Sequence, residues 1–293
     1  YQYRSLNENE LASMLRQLPQ RPLLVGEEGV RLSLAGVQDK IAVRKVDDKI
    51  SIPLDSSPST HIIKPAIVGY DGVIYNEAFC LQLANLIGLN AAKATVEQVE
   101  DIEYLLIERY DRKINVATII ETTISRLHQE DFCQALGIVS DKKYQNEGGP
   151  SLAQCFELIR EYSQVPVIDL SQLLDVVIFN FLIGNCDAHG KNFSFLLGKE
   201  IRLAPFYDLL STTYYKELSM KMAMKIGGEY EINQVRIKHF DRLAHEIGFS
   251  PAAVQHRILE LIDATRSALK SLKTTNPVAD QIAKIINMQC MRI

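Results

Sequence analysis

The chain has 293 residues, 47% of them apolar and 23% charged, with 32 basic side chains against 36 acidic ones. A net charge of −4 speaks against a generic coat for nucleic acid or anionic membrane, and the length suffices for two lobes with cores of their own. No apolar run approaches the roughly 18 residues of a membrane span, and no basic-then-apolar leader opens the chain. The five cysteines (Cys80, Cys133, Cys155, Cys186, Cys290) form an odd set without a C-x-x-C pair. That pattern argues against a disulfide framework or zinc knuckle and for a reducing cytoplasm.

In chain order, Asn7 and Glu10 have the spacing of a capping box ahead of Leu11, Met14, Leu15 and Leu18, which predicts a short amphipathic helix. From Arg31 to about Arg109 the signals are mostly those of strands. Ile41 and Val43 alternate with smaller or polar residues, Asp47-Asp48 signals a turn, and Ile50 and Ile52 resume the alternation. A further strand over 61–64 stops at Pro65. One helix is predicted from Asn76 to Ile87, with Phe79, Cys80, Leu83, Leu86 and Ile87 at helical spacing and Gly88 to close it. Strands around 94–99 and 102–108 follow, giving about five strands with one helix inserted. After about Arg112 the pattern turns helical. Residues 138–151 read as a polar loop, and Leu173 to Ile183 as a buried apolar segment. Ser250-Pro251 and Asn276-Pro277 mark two helix starts. The expected organisation is therefore a sheet-rich lobe over 1–112 and a larger helical lobe over 113–293.

The chemistry concentrates in Asp187-Ala188-His189-Gly190-Lys191-Asn192, directly after the apolar segment, and in Asp208, sixteen residues beyond Asn192. Phosphoryl transfer needs a carboxylate to orient the attacking hydroxyl and oxygen ligands to hold Mg²⁺ against nucleotide phosphates. Asp187 and Asn192 have the Asp-x-x-x-x-Asn spacing that protein kinases use, with Asp208 as the downstream metal-binding carboxylate. The competing reading is a loop of turn residues, with Asp208 as a helix cap. Upstream, Lys64 ends an apolar strand, where one positive charge can meet the α- and β-phosphates. Glu77 could pair with it from the first turn of the inserted helix. Alternatively, Lys64 is a surface lysine and Glu77 a glutamate favoured by the helix macrodipole. The segment 104–112 joins the halves; Tyr110 and Tyr207 are aromatic faces for a base, or core aromatics. The loop from Ser33 to Lys40 could fold its backbone N–H groups, at Gly36, Val37 and Gln38, over phosphates. With one glycine it matches neither G-x-G-x-x-G nor a Walker A loop.

These pieces in this order resemble the HipA family of bacterial serine/threonine kinases, the toxin half of toxin–antitoxin pairs. The resemblance is carried by 33–40 (SLAGVQDK), 60–64 (THIIK), Asn76-Glu77, 108–112 (ERYDR), 129–134 (QEDFCQ), Gly148-Gly149-Pro150, 187–192 (DAHGKN) and 205–208 (PFYD). It implies an α+β, two-lobed protein-kinase-like fold whose small lobe has an antiparallel sheet plus one helix. It also implies Asp187 as the catalytic aspartate, Asn192 and Asp208 as Mg²⁺ ligands, and Lys64 as an ATP-binding residue. Glu108 and Tyr110 are then contacts to adenine, while Gly36, Val37, Gln38, His189, Lys191 and Tyr207 line the nucleotide site. Ser33 falls on the family's regulatory serine, where a phosphate would add nearly two negative charges beside the ATP phosphates and switch the enzyme off. Only 32 residues precede Ser33, so the chain resembles the HipT-like short form, in which a small HipS-like protein can supply an N-terminal subdomain. The family further implies an aminoacyl-tRNA synthetase as substrate and an antitoxin of HipB type as partner. DNA is met only through the antitoxin, a membrane not at all, and the expected location is the cytoplasm. An aminoglycoside-type phosphotransferase and a non-enzymatic nucleotide-binding regulator are the other readings. No H-E-x-x-H occurs, and His239 and His245 are spaced six apart, off one helix face.

Overall fold

A computed structural model describes residues 1–18, 39–116, 122–272 and 276–293. The loop residues Ser33, Gly36, Val37 and Gln38 lie outside the described residues. The chain divides into two compact units: Tyr1–Ala78 with Ala92–Leu127, and Phe79–Ala91 with His128–Ile293.

The first unit is built on a six-stranded sheet. Its strands are β1 (Gln2–Ser5), β2 (Ile41–Val46), β3 (Lys49–Leu54), β4 (His61–Pro65), β5 (Ala94–Val99) and β6 (Ile102–Glu108), in the order β1-β3-β2-β4-β6-β5 with every pair antiparallel. The turn expected at Asp47-Asp48 joins β2 to β3, with Asp47 left-handed at φ 50°, a conformation Asp tolerates better than most residues. Helix α1 (Glu8–Gln17) starts at the predicted capping box: Asn7 accepts from the Glu10 N–H, and Glu10 accepts from the Asn7 N–H. Its Leu11, Met14 and Leu15 join Ile41, Ile52 and Ile63 in the core of this unit. Arg16, in the last turn, reaches both Glu100 (2.8 Å) and Asp101 (2.6 Å) in the β5–β6 turn.

Helix α2 (Val73–Leu86) begins three residues before the predicted start. Gly72, left-handed at φ 72°, turns the chain into it, so Glu77 sits in the second turn rather than the first. The strand pattern also continues past Arg112, where a helical pattern was expected. A hairpin of β7 (Arg112–Val116) and β8 (Thr122–Arg126) follows, with Ile114 opposite Ile124.

The second unit adds β9 (His128–Asp131), α3 (Phe132–Ala135), α4 (Leu152–Tyr162), α5 (Pro166–Ile183), β10 (Ser194–Leu197), β11 (Ile201–Leu203), β12 (Lys221–Ile226), β13 (Glu229–Glu231), α6 (Ile237–Glu246), α7 (Pro251–Ser271) and α8 (Pro277–Cys290). Both proline-marked starts are where the sequence put them. Asn276 accepts from the Val278 N–H, whereas Ser250 makes no side-chain cap bond. Helix α5 packs against α4, α7 and α8, and its Phe179 and Phe181 are buried as expected.

One expectation is corrected here. Pro166–Ile183 is long and apolar enough to cross a membrane by length and composition, although the sequence reading found no such segment; 67% of it is buried inside the unit. Two carboxylates interrupt its apolar run, and both are paired within the protein. Asp169 is fully buried and accepts from Ser163 Oγ (2.6 Å), Arg202 Nη2 (3.0 Å) and the Leu203 N–H (2.9 Å). Asp175 takes two bonds from Arg257, at 2.6 and 2.8 Å. The helix is thus the central element of a packed unit. All five cysteines are free and buried.

Removing the Asp169 carboxylate leaves a guanidinium, a hydroxyl and an N–H without their acceptor. Asp169→Ala should therefore cost about 3–5 kcal/mol, read as a lowered denaturation midpoint, and an unchanged midpoint would contradict this role.

Candidate active site

Helix α5 ends at Gly184, whose φ of 73° suits glycine. The Gly184 N–H donates to Phe181 O, and the Asn185 N–H to Asn180 O. A Cβ at Gly184 would stand 2.1 Å from Thr213 Oγ1. The loop beyond is pinned from one side by Thr212, which is buried. Its hydroxyl accepts from the Cys186 N–H (2.7 Å) and donates to Gly184 O (3.2 Å). From the other side the Ala223 N–H donates to Cys186 O at 2.8 Å. Asn185 Oδ1 then accepts from the Asp187 N–H at 3.1 Å. A polar loop that directly follows a buried helix is thereby fixed at nearly every joint.

Asp187 is half exposed, with 47% of its side chain accessible, and its Oδ1 accepts from the Tyr144 hydroxyl at 2.7 Å. His189 Nε2 lies 3.9 Å from its Oδ2. The His189 N–H donates to Asn192 Oδ1 (3.0 Å), and Asn192 Nδ2 donates to Asp208 Oδ2 (3.3 Å). His189, Asn192 and Asp208 are therefore hydrogen-bonded in series within the second unit, and Asp187 stands beside them without a hydrogen bond to His189. Asp208 is held left-handed at φ 52°, strain of the kind that persists where surrounding structure over-determines a site. The segment before it is anchored by the Phe206 N–H on Asn90 O (2.8 Å) and the Ala204 N–H on Ser194 O (2.8 Å).

The Tyr207 hydroxyl donates to Lys191 O (2.7 Å) and shares a hydrogen bond with Ser194 Oγ (2.8 Å), bracing the Gly190–Asn192 turn. Lys191 Nζ is bonded to Ser140 Oγ at 2.7 Å. Burial pushes the phenols of Tyr207 and Tyr144 up; the Asp187 carboxylate beside Tyr144 adds to the effect there.

Burial lowers the His189 imidazole to about 4, against a smaller opposing pull from Asp187. Its Nδ1 is buried with no hydrogen-bond partner among the described residues.

In the first unit, Lys64 Nζ donates to Glu77 Oε1 at 2.7 Å, with both side chains buried. The surface-lysine and macrodipole readings are set aside by that burial. Glu108 closes β6 with an exposed side chain, and its N–H donates to Lys93 O. Tyr110 follows, half-buried, beside a compact cluster. There Arg109 clasps Asp111 through two bonds (2.9 and 2.7 Å), and Arg112 donates to Asp111 Oδ2 (2.7 Å) and to Ser59 O (3.0 Å). Burial alone would raise the Asp111 carboxyl, but the two guanidinium groups outweigh it and hold the group below the usual range.

Among the described residues no group of three or more His, Cys, Asp or Glu side chains forms a metal cage. The oxygens of Asn192 and Asp208 nonetheless suit Mg²⁺, which keeps several waters and takes one or two protein carboxylates together with phosphate oxygens. The residue that sequence reasoning missed is Tyr144. It sits in a polar loop without periodicity, and the only pointer to it was the neighbouring Gly148-Gly149-Pro150.

Residues 32–269 match the family described as HipA-like C-terminal domain. The chain is 42% identical over 282 residues to the candidate kinase Y4mE of Sinorhizobium fredii, covering 96% of this chain and 66% of that protein. It is 30% identical over 246 residues to the serine/threonine-protein kinase toxin HipA of Shewanella oneidensis, covering 80% and 55%. The chain thus spans no more than about two thirds of these relatives. The solved complex of Shewanella oneidensis HipA, HipB and operator DNA contains a chain that superposes with a TM-score of 0.83 at 26% identity, covering 100% of this chain and 71% of that one. The Helicobacter pylori proinflammatory kinase CtkA shares the fold, with a TM-score of 0.52 at 13% identity and coverage of 89% and 91%. The α+β, kinase-like fold is that of these proteins.

The depressed His189 pKa gives a pH prediction. The unfolded chain takes up this proton near pH 6.5 and the folded chain only near 4. Stability should therefore fall as pH drops from about 6.5 to 4, by as much as about 3 kcal/mol. Denaturation midpoints at both ends of that range should separate less in His189→Gln than in the parent; equal separation would contradict it.

Proposed function

The chain belongs to the HipA-like C-terminal domain family, and on that premise we propose that it is an ATP- and Mg²⁺-dependent serine/threonine protein kinase acting as the toxin of a toxin–antitoxin pair. The observation that carries the reading is the Asp187–His189–Asn192–Asp208 set, in which a half-exposed carboxylate stands on a pinned loop next to an amide–carboxylate pair. Asp187 orients the acceptor hydroxyl and takes its proton as the oxygen's bond to the γ-phosphorus forms and the bond from that phosphorus to ADP breaks, ADP leaving with the electron pair. Asn192 and Asp208 would hold Mg²⁺, whose contribution when bound would be charge neutralisation at the nucleotide phosphates. Lys64, held by Glu77 at 2.7 Å, serves phosphate charge as well, and Glu108 and Tyr110 serve adenine. His189, Lys191 and Tyr207 would line the nucleotide site, and Gly36, Val37 and Gln38 would contribute backbone N–H groups to the phosphates. Catalysis on this account is positioning and electrostatics rather than covalent chemistry.

The proposal extends to an aminoacyl-tRNA synthetase as substrate, a HipB-type antitoxin with DNA met only through it, a small HipS-like partner, and a cytoplasmic location. The antitoxin is supported by the solved relative, whose complex contains HipB and operator DNA. Phosphorylation at Ser33 is the proposed off-switch.

Asp187→Asn should lower transfer from γ-labelled ATP to protein by about 100- to 10,000-fold while the melting temperature stays within a few degrees of the parent's. Parental transfer in that variant would overturn the assignment. Label found on the chain itself should disappear in Ser33→Ala; label confined to a small amine or sugar would favour the aminoglycoside-type reading instead.

A further inference from the structure

We propose that Tyr144 is a positioning residue for Asp187, holding one carboxylate oxygen so that the other faces the acceptor hydroxyl. This rests on the phosphotransfer reading of Asp187 and deepens it.

The Tyr144 hydroxyl donates to Asp187 Oδ1 at 2.7 Å. Asp187 keeps 47% of its side chain accessible, and its Oδ2 remains beyond hydrogen-bond distance of His189 Nε2, at 3.9 Å. One oxygen is thus spoken for and the other is open. A carboxylate on a short side chain rotates easily about χ2. A phenol fixed from behind removes that freedom, so the open oxygen is presented in one direction.

The phenol can do this only if its own backbone is fixed, and it is. Tyr144 O accepts from the N–H groups of Glu147 (2.9 Å) and Gly149 (2.8 Å). Gln145 Oε1 accepts from the Lys225 N–H at 2.9 Å, tying the same turn to β12. The ring meets the His189 ring edge-on at 5.6 Å, and the Lys143 ammonium lies over it at 4.9 Å.

The Gly148-Gly149-Pro150 motif, left without a role by the catalytic account, now has one. A Cβ at Gly149 would stand 2.6 Å from the Lys143 carbonyl carbon, so only glycine lets the turn close beneath Tyr144. Pro150 packs against Gly190, where a Cβ would fall 2.3 Å from Pro150 Cγ. The motif therefore presses the tyrosine turn directly onto the loop that carries Asp187. A hydroxyl set on a rigid, doubly bonded turn, aimed at a half-exposed carboxylate, is the arrangement expected of a part that limits orientation.

The test is self-labelling of the full chain with γ-labelled ATP and Mg²⁺, comparing the parent, Tyr144→Phe and Asp187→Asn. Phenylalanine keeps the ring contacts with His189 and Lys143 and removes only the hydroxyl. The expected result is a maximal rate lower by about tenfold or more in Tyr144→Phe. The ATP concentration for half-maximal rate and the thermal melt should stay at parental values, a split that a merely structural tyrosine would not give. A silent Asp187→Asn together with a parental rate in Tyr144→Phe would overturn the inference alone. A faster rate in Tyr144→Phe would also overturn it, making the phenol an occupant of the acceptor's place. If Asp187→Asn labels like the parent, the phosphotransfer reading falls and the inference falls with it.

Discussion

A single buried hydroxyl carries much of the candidate site. Thr212 accepts from the Cys186 N–H and donates to Gly184 O, so it joins the end of the most buried helix to the loop that bears Asp187. Polar loops are usually the mobile parts of a domain. This one leaves α5 through a left-handed glycine and is bonded to two neighbouring segments before Asp187 is reached. Rigidity in the core thereby becomes rigidity at a carboxylate, which is what a reaction run by positioning requires. Further along, the Tyr207 hydroxyl on Lys191 O and the Asn192–Asp208 contact extend the same principle to the proposed metal ligands.

The Lys64–Glu77 pair obeys a different economy. Two charges taken almost wholly out of water gain little net stability from each other, because desolvation offsets most of their attraction. Hydrophobic residues of similar volume would serve a sheet and helix at least as well. The buried ion pair at the end of β4 fits the role proposed for Lys64 toward nucleotide phosphates. The Arg109–Asp111–Arg112 cluster contrasts with it. There the guanidinium groups are spent on a carboxylate, on Ser59 and on one another's neighbours, and the outcome is a stiffened chain just after β6.

Much of this was legible in the sequence because local chemistry and tertiary structure agree. The boundaries of β5 and β6, the Asn7–Glu10 capping box and the proline-marked starts of α7 and α8 follow from alternation, side-chain caps and proline geometry alone. Asp187, Asn192 and Asp208 stood out by type and spacing; the structure bonds Asn192 to Asp208 and to the His189 N–H, with Asp187 alongside. What was missed had weak local signals. Strand β9 reads His-Gln-Glu-Asp and holds its place by pairing with β10. The β7–β8 hairpin offers one apolar pair, Ile114 with Ile124. Helix α2 begins on Val73 after a glycine turn, three residues before its apolar spacing announces it. Asp169 and Asp175 broke the apolar count along α5, and their partners Arg202 and Arg257 are distant in sequence. Tyr144 is forty-three residues from Asp187, and nothing local marks a tyrosine whose importance lies in where a later turn delivers it.

The central claim is that this chain moves a phosphoryl group from ATP to a protein hydroxyl. It is tested most directly by incubating the unaltered protein with γ-labelled ATP, Mg²⁺ and a cytoplasmic extract, then hydrolysing the labelled protein to its phosphoamino acids. The account predicts label in phosphoserine or phosphothreonine that is absent when Mg²⁺ is chelated. Nucleotide binding with no label in either amino acid would contradict it.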